Sequence, residues 1–169
     1  MLKKNYSKRL ILRKAAMSDW TVLYDAVKSH GFPEDLPLKE IIKTRQHAEQ
    51  WVNMSIQDWD AGQRYMWTIC LKGDNNLPIG QILISRRTED DRWHTVFWVS
   101  GKFQAAGYAS EALSALTRML PLKFWAGAAQ WNEPNNRVLI NCGFKNIGVI
   151  KNGYVCRGKQ IPVNEYEKT

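Results

Sequence analysis

Apolar and polar positions alternate between two periods along this chain, and the switches between them mark its elements. Residues 9–14 set Leu10-Ile11-Leu12 between basic side chains and read as a first strand. Ser18 then stands as an N-cap before Trp20, Leu23, Tyr24 and Val27 at helical spacing, and Gly31 is placed to end that helix. Phe32-Pro33-Glu34-Asp35-Leu36-Pro37 carries two prolines and predicts a bent loop. A second helix is expected from residue 38 to about residue 60, with Ile41, Ala48, Trp51, Val52, Ser55 and Trp59 as its inner stripe and Gly62 at its end.

The middle of the chain reads as strands. Residues 65–71 are aromatic and β-branched, and Gly73-Asp74-Asn75-Asn76 turns them into residues 79–85. Residues 86–92 are charged or polar, a solvated turn before a strand at 93–99. Residues 107–119 return to helical spacing, with Ala109, Ala112, Leu113, Leu116 and Leu120 on one side. A short apolar strand at 124–129 follows. Pro134 can open a helix with Val138 and Leu139 inward and Gly143 closing it. Strands at 144–150 and 153–163 around Asn152-Gly153 finish the chain. The order β-α-α-β-β-β-α-β-α-β-β predicts a mixed α/β sheet with helices on its faces, folded as one domain over residues 1–169. The crossover helix at 107–119 makes the strands at 93–99 and 124–129 parallel neighbours.

Composition narrows the class. Hydrophobic residues make up 44% and charged residues 24%, the balance of a globular chain rather than a disordered one. No run approaches 18 apolar residues, so no membrane-spanning helix is expected. The N-terminal residues 1–9 are basic, and the apolar run that follows is too short for a signal-peptide core, which predicts a cytoplasmic protein. Cys70, Cys142 and Cys156 are odd in number and make no C-x-x-C, so three reduced thiols are expected rather than disulfides or zinc, and no metal site is predicted. The net charge of +8 suits an anionic partner.

The chemistry is concentrated in residues 97–113, which run from strand through loop to helix start. The loop ends in Ala105-Ala106-Gly107, with Ala109 one turn further on. Small side chains let a ligand approach the backbone, and the first amides of a helix are unpaired. Together with the helix dipole they form a site for phosphate or pyrophosphate; read without context, the same residues also describe a tightly packed strand-to-helix joint.

The order of the elements adds to this. Gln104-Ala105-Ala106-Gly107-Tyr108-Ala109, following Phe97-Trp98-Val99 and leading into Ser110-Glu111-Ala112-Leu113, resembles the acyl-CoA loop of the GNAT acetyltransferases, in the branch that holds the RimJ and RimL N-acetyltransferases. Asn132, Asn136-Arg137-Val138-Leu139 and Cys142-Gly143-Phe144 resemble a second block of that family, and residues 9–14 resemble its first strand. The resemblance spans nearly the whole chain. It implies the GNAT fold, acetyl-CoA as co-substrate and an amine acceptor, either a ribosomal or other protein N-terminus or a small molecule. It further implies that backbone at Trp98 and Val99 pairs with the pantetheine, that amides of Gln104, Ala105, Ala106, Gly107, Tyr108 and Ala109 hold the pyrophosphate, that Asn132 bonds the pantetheine or lies beside the thioester, and that Asn135 and Asn136 line the cofactor arm. The sequence departs from the family's pattern in Ala105 where Gly is frequent, Asn135 where Ser is frequent, and Leu139 where many members carry a Tyr.

Acyl transfer to an amine needs a group to take a proton. His94 alternates with Val96 and Trp98 on one strand face, and its ordinary pKa of about 6.5 suits that task; a structural histidine at the start of the strand is the competing role. His30 is placed to cap the first helix, His47 sits on a charged face, and Glu111 is placed to balance the helix dipole. The reading is an acetyl-CoA-dependent N-acetyltransferase with His94 as the catalytic candidate. Its rivals are a CoA-binding GNAT fold without catalysis and a basic RNA-binding module drawing on the aromatics.

Overall fold

The computed structural model describes residues 4–73 and 75–169, so Asp74 of the expected turn and the first three residues of the basic N-terminus lie outside the described residues. Eight strands form one sheet in the order β1-β2-β3-β4-β5-β6-β8-β7. They are β1 (Lys4–Tyr6), β2 (Leu10–Lys14), β3 (Arg64–Leu71), β4 (Pro78–Arg86), β5 (Trp93–Val99), β6 (Phe124–Ala129), β7 (Lys145–Cys156) and β8 (Lys159–Lys168). The helices are α1 (Trp20–Lys28), α2 (Leu38–Ile41), α3 (Arg45–Asp60), α4 (Tyr108–Met119) and α5 (Glu133–Asn141). The mixed α/β sheet expected from the sequence is present. β5 and β6 are parallel, joined by the α4 crossover, whereas the other neighbours run antiparallel.

The central strands of the sheet are covered on both faces. On one, Leu10, Leu12, Trp67, Ile82, Ile84 and Phe124 pack against Leu113 and Leu116 of α4 and Leu139 of α5. On the other, Met66 and Trp98 pack against Leu23 and Val27 of α1, Phe32, Leu36, and Ala48 and Val52 of α3. The strand period of two sends alternate residues of β4 and β5 to these two layers. At the entry to α1, Asp19 is 1% exposed. It accepts from both terminal nitrogens of Arg13 at 2.8 and 2.7 Å, from Thr68 Oγ1 at 2.6 Å and from the Ala16 amide at 2.9 Å. A buried carboxylate satisfied in this way locks β2, β3 and α1 together.

Four local expectations are corrected. Ser18 is not the cap of α1; it sits in a 3-10 turn (Met17–Asp19), and the Asp19 carboxylate holds the entry instead. Gly31 does not end that helix, which stops at Lys28 with Ser29 extended; Gly31 instead packs beside Gly101. The long second helix breaks into α2 and α3 because Thr44 turns extended and accepts the His47 amide at 3.2 Å, a side-chain cap that restarts the helix. The break turns Ile42 inward at 0% exposure and leaves Ile41 at 42%. Finally, the last hairpin reverses at Arg157-Gly158, both at positive φ (51° and 73°), between the paired Cys156 and Lys159. Asn152-Gly153 lies in a bulge of β7, where a side chain on Gly153 would come within 2.6 Å of Val163 Cβ. The sequence reading also lacked β1, a three-residue strand with one half-buried side chain.

Candidate active site

The parallel pair at the centre of the sheet stays closed for a short distance. Trp93 pairs with Phe124 and His94 with Trp125; beyond them residues 95–99 remain on β4 and residues 126–129 on β8. The two strands therefore part into a wedge whose apex is His94. The Trp93 amide donates to Lys123 O at 2.7 Å on the β6 side, and the Ser100 amide to Ile79 O at 2.8 Å on the β4 side. Strand alternation then gives the backbone edge facing the wedge to Phe97 and Val99. Trp98 spends its backbone on β4, with its carbonyl packed against Gly80, and its ring turns to the α1–α3 face beside Phe32. Of the expected backbone pair Trp98 and Val99, only Val99 has its edge toward the wedge.

At the mouth of the wedge the chain makes a 3-10 turn (Gly101–Phe103) and then the small-residue loop. The Gln104 side chain is spent inside the fold: its Nε2 donates to Val99 O at 3.0 Å and Gly31 O at 3.1 Å, clasping the loop to β5 and to the chain after α1. Ala105 takes φ +60° and Gly107 φ +78°, so two left-handed residues within three turn the backbone into α4. Gly107 is the N-cap of α4 and brings no side chain to its amides. Arg9 stands over this turn. Its Nη1 donates to Ala106 O at 3.0 Å, and its guanidinium lies 4.4 Å from the Tyr108 ring centre. Glu111 holds it there, accepting from Arg9 Nε at 2.6 Å, the Arg9 amide at 2.7 Å and Ser7 Oγ at 2.6 Å. Burial pushes the Glu111 carboxyl up, but the bonds from Ser7 and Arg9 outweigh it and leave it below its ordinary value. The loop thus presents helix amides and a guanidinium that is 42% exposed in one place, a set suited to a pyrophosphate.

The three asparagines divide into different roles. Asn136 is 8% exposed. Its Nδ2 donates to Ala129 O and Asn132 O at 2.9 and 2.8 Å, and its Oδ1 accepts from Asn164 and Tyr166 Oη, both at 2.8 Å. With four bonds made, it pins α5 to β6 and β8, which corrects the expectation that it lines the cofactor arm. Asn132 caps α5 through its Oδ1, which accepts the Asn135 amide at 3.3 Å, while its Nδ2 donates to both carboxylate oxygens of Asp35. Asn135 differs: its Oδ1 is buried without a partner, among the described residues, at the start of α5.

Behind the wedge, on the α1–α3 face, lies a cavity of about 400 Å³. Trp51, Met66, Leu83, Val96 and Trp98 make most of its wall, with Leu36 and Leu38 from the chain around α2 and Val155 from β7. Its polar members are Asp35, Glu40, Gln81, His94 and Tyr154. His94 Nε2 and Gln81 Nε2 are buried there without a hydrogen-bond partner among the described residues. The His94 ring meets the Trp125 ring at 4.9 Å between centres, and Arg87 covers Trp125 at 4.2 Å. Burial, reinforced by the Arg87 charge, lowers the His94 pKa to about 4, so the ring is neutral at physiological pH. Tyr154 Oη donates to Gly127 O at 3.1 Å, and burial pushes its pKa up, keeping the phenol protonated. His30 and His47 are exposed on the surface, and His47 Nδ1 accepts the Lys43 amide at 3.3 Å.

The small-residue loop, the opened parallel strand pair and the cavity behind it stand beside a family match. The chain matches the family model of the acetyltransferase (GNAT) domain over residues 9–145. It belongs to the GNAT acetyltransferase family. No curated protein matches the sequence. Among solved structures, RimL, a ribosomal L7/L12 alpha-N-protein acetyltransferase in complex with coenzyme A, superposes with a TM-score of 0.83 at 21% identity, covering 96% of this chain and 94% of that one. The microcin C7 self-immunity acetyltransferase MccE, in complex with acetyl-CoA and AMP, gives a TM-score of 0.85 at 16% identity over 96% and 93% of the two chains. An acetyltransferase from Salmonella typhimurium that modifies the N-terminal serine of the 50S subunit protein L7/L12 gives 0.80 at 22% identity, over 96% and 95%. These similarities describe a shared fold.

In this GNAT domain the strands that part into the wedge, β5 and β6, lie where the sequence pattern puts them, and His94 lines the cavity. The sequence reading missed Arg9, Asp35, Gln81 and Tyr154. Arg9 was visible only as one of several basic residues beside β2, and Asp35 as a polar residue between two prolines. Leu139, at 0% exposure, is wholly a core residue. Cys70 and Cys142 are buried, Cys156 is half-buried, and all three are free thiols. Among the described residues no helix is long and apolar enough to cross a membrane, and no cluster of three or more His, Cys, Asp or Glu could hold a metal ion.

Proposed function

We propose that this protein transfers the acetyl group of acetyl-CoA to a primary amine, of a protein N-terminus or a small molecule, seated in the cavity beside His94. The observation that carries the reading is the wedge between β5 and β6: one of its strands, β5, runs toward the loop at residues 104–109 and lines the cavity with His94, Val96 and Trp98. In this reading the pyrophosphate rests on the amides around Gly107 and on Arg9. The pantetheine extends along the Phe97 and Val99 edge like an added strand. Asn135 Oδ1, buried without a partner among the described residues, would accept from an amide N–H of that arm. The complexes of RimL with coenzyme A and of MccE with acetyl-CoA support the choice of donor.

The chemistry follows from the apex. The amine nitrogen attacks the thioester carbonyl carbon, the new C–N bond forms, and the tetrahedral intermediate collapses with loss of the C–S bond. One amine proton leaves as the bond forms, and the thiolate takes up a proton to become free CoA. His94 is neutral at pH 7, so its Nε2 is able to accept a hydrogen bond from the attacking amine and orient it.

The test combines binding and turnover. Acetyl-CoA at about 100 times its Kd should stabilise the fold by roughly 2.7 kcal/mol, raising the Tm by roughly 5–10 °C at this chain length. A panel of amines and N-terminal peptides is then followed by thiol release and by the acetyl mass increment. Bound acetyl-CoA without an acetylated product from any member would make the protein a cofactor binder and overturn the reading.

A further inference from the structure

The cavity's two unpartnered nitrogens stand at opposite ends of it. His94 is at the apex of the wedge, opposite Ser85, whereas Gln81 lies opposite Trp98, four residues further along β5. Strand geometry places their backbones roughly 13–14 Å apart. Leu83 and Val96 lie between them on the same face, and Trp51, Met66 and Trp98 close the sides. Gln81 is 2% exposed and lines the cavity, and its Nε2 is buried with no hydrogen-bond partner among the described residues. A buried amide donor left unpaired is costly, and such groups are retained where a ligand completes them. The other polar groups are already engaged: Asp35 by Asn132 and by the Ala129 amide at 3.4 Å, and Tyr154 by Gly127 O.

The cavity is also bordered by a latch. The β7–β8 tip reaches to α2 and the loop before it: the Arg157 amide donates to Glu40 Oε1 at 3.1 Å, Cys156 Sγ donates to Glu34 O at 3.0 Å, and the Arg157 guanidinium pairs with Glu34. An extended peptide would have to part this latch, whereas a compact molecule fits in about 400 Å³.

We propose that the acceptor is a small amphiphilic amine, with its amine at the His94 end, an apolar body along Leu83 and Val96, and a hydrogen-bonding oxygen at the far end, and that Gln81 selects it by donating to that oxygen. The inference rests on the acetyl-transfer reading above. A site built to pair a buried polar group discriminates sharply against an analogue that leaves it unpaired.

Tyramine and 2-phenylethylamine, which differ by one hydroxyl at the end opposite the amine, are the probes. In the wild-type protein tyramine should exceed phenylethylamine in kcat/KM by about tenfold or more. Gln81→Leu and Gln81→Met should bring the ratio near one, chiefly by lowering the tyramine value, with acetyl-CoA affinity unchanged as the check on folding. Titration of both amines into the CoA-loaded protein reads the same preference without chemistry. A hydroxyl preference in binding without acetyl transfer would sustain Gln81 as the group that selects the ligand, and would sink the transferase reading and the acceptor role with it. Acetyl transfer with equal ratios in wild type and variants would do the reverse. A serine-initiated peptide with a higher kcat/KM than tyramine would overturn the small-amine acceptor.

Discussion

Asn132 Nδ2 donates to both carboxylate oxygens of Asp35, at 2.9 and 3.0 Å, and so ties the loop before α2 to the residue that caps α5. The loop bears on the cavity and α5 flanks the mouth of the wedge, so this contact couples the two sides of the site. Asp35 is 2% exposed and also accepts the Ala129 amide. Asp35→Ala would leave two buried donors unpaired, and a loss of about 2–3 kcal/mol is expected, or roughly 5–10 °C in Tm. Chemical denaturation checks it: a loss under about 0.5 kcal/mol, the range of ordinary surface changes, would show that the contact does not hold the loop.

Gly107 and Arg9 make a prediction about cofactor affinity. A Cβ on Gly107 would meet Arg9 Nη2 at 3.5 Å, in a left-handed residue. Gly107→Ala adds backbone strain alone, of about 1 kcal/mol. Gly107→Glu adds the same strain and a carboxylate that competes with the pyrophosphate for Arg9 and the helix amides. Acetyl-CoA binding should therefore weaken far more in the Glu variant than in the Ala variant, and Arg9→Gln should weaken it by about fivefold with a flatter salt dependence. Equal binding in the Ala and Glu variants would place the phosphates elsewhere.

Ala105 is strained where the family resemblance has Gly. At φ +60° an alanine costs about 1–2 kcal/mol relative to a right-handed conformation. Ala105→Gly removes that cost but loosens the unfolded chain by about 0.4–1 kcal/mol. The net expectation is a small rise in Tm, of about 1–3 °C, with acetyl-CoA affinity retained. A fall in Tm on this substitution would mean that the methyl group makes a contact worth more than its strain.

Much of this architecture was legible because it depends on local pattern. The strands at 93–99 and 124–129 coincide with β5 and β6 because aromatic and small apolar runs between charged turns have few alternatives. The helix after Gly107 was legible from its alanine and leucine spacing. Gln81 was not, because a single polar residue among Ile79, Ile82, Leu83 and Ile84 carries no periodicity of its own. Its role appears only when β4 pairs with β5 and places it beside Trp98. Asp35 and Arg9 were hidden for the same reason: their partners, Asn132 and Glu111, lie 97 and 102 residues away. The final turn was misplaced because Asn-Gly is a stronger local turn signal than Arg-Gly, and the pairing with β8 overrode it.

His94 supports the last prediction, which concerns pH. Its pKa is about 4 in the fold, lowered by burial and then by Arg87, against about 6.5 in the unfolded chain. Between those values the unfolded state binds more protons than the folded state, so stability rises with pH. The contribution is complete above about pH 6.5 and is lost progressively as pH falls toward 4, amounting to about 3 kcal/mol. His94→Gln keeps a polar side chain of similar reach but cannot titrate, so its stability should be flatter than wild type across this window. The same pKa bears on catalysis. A base that is neutral down to about pH 4 gives no limb near 6.5 in the kcat/KM profile, and the rate should instead follow the deprotonation of the acceptor amine as pH rises. If His94 accepts the amine's hydrogen, His94→Gln should lower kcat at neutral pH by about a hundredfold, with acetyl-CoA affinity unchanged. Parental turnover by a variant with the flattened stability profile would leave His94 a buried structural ring and assign proton removal to water in the cavity.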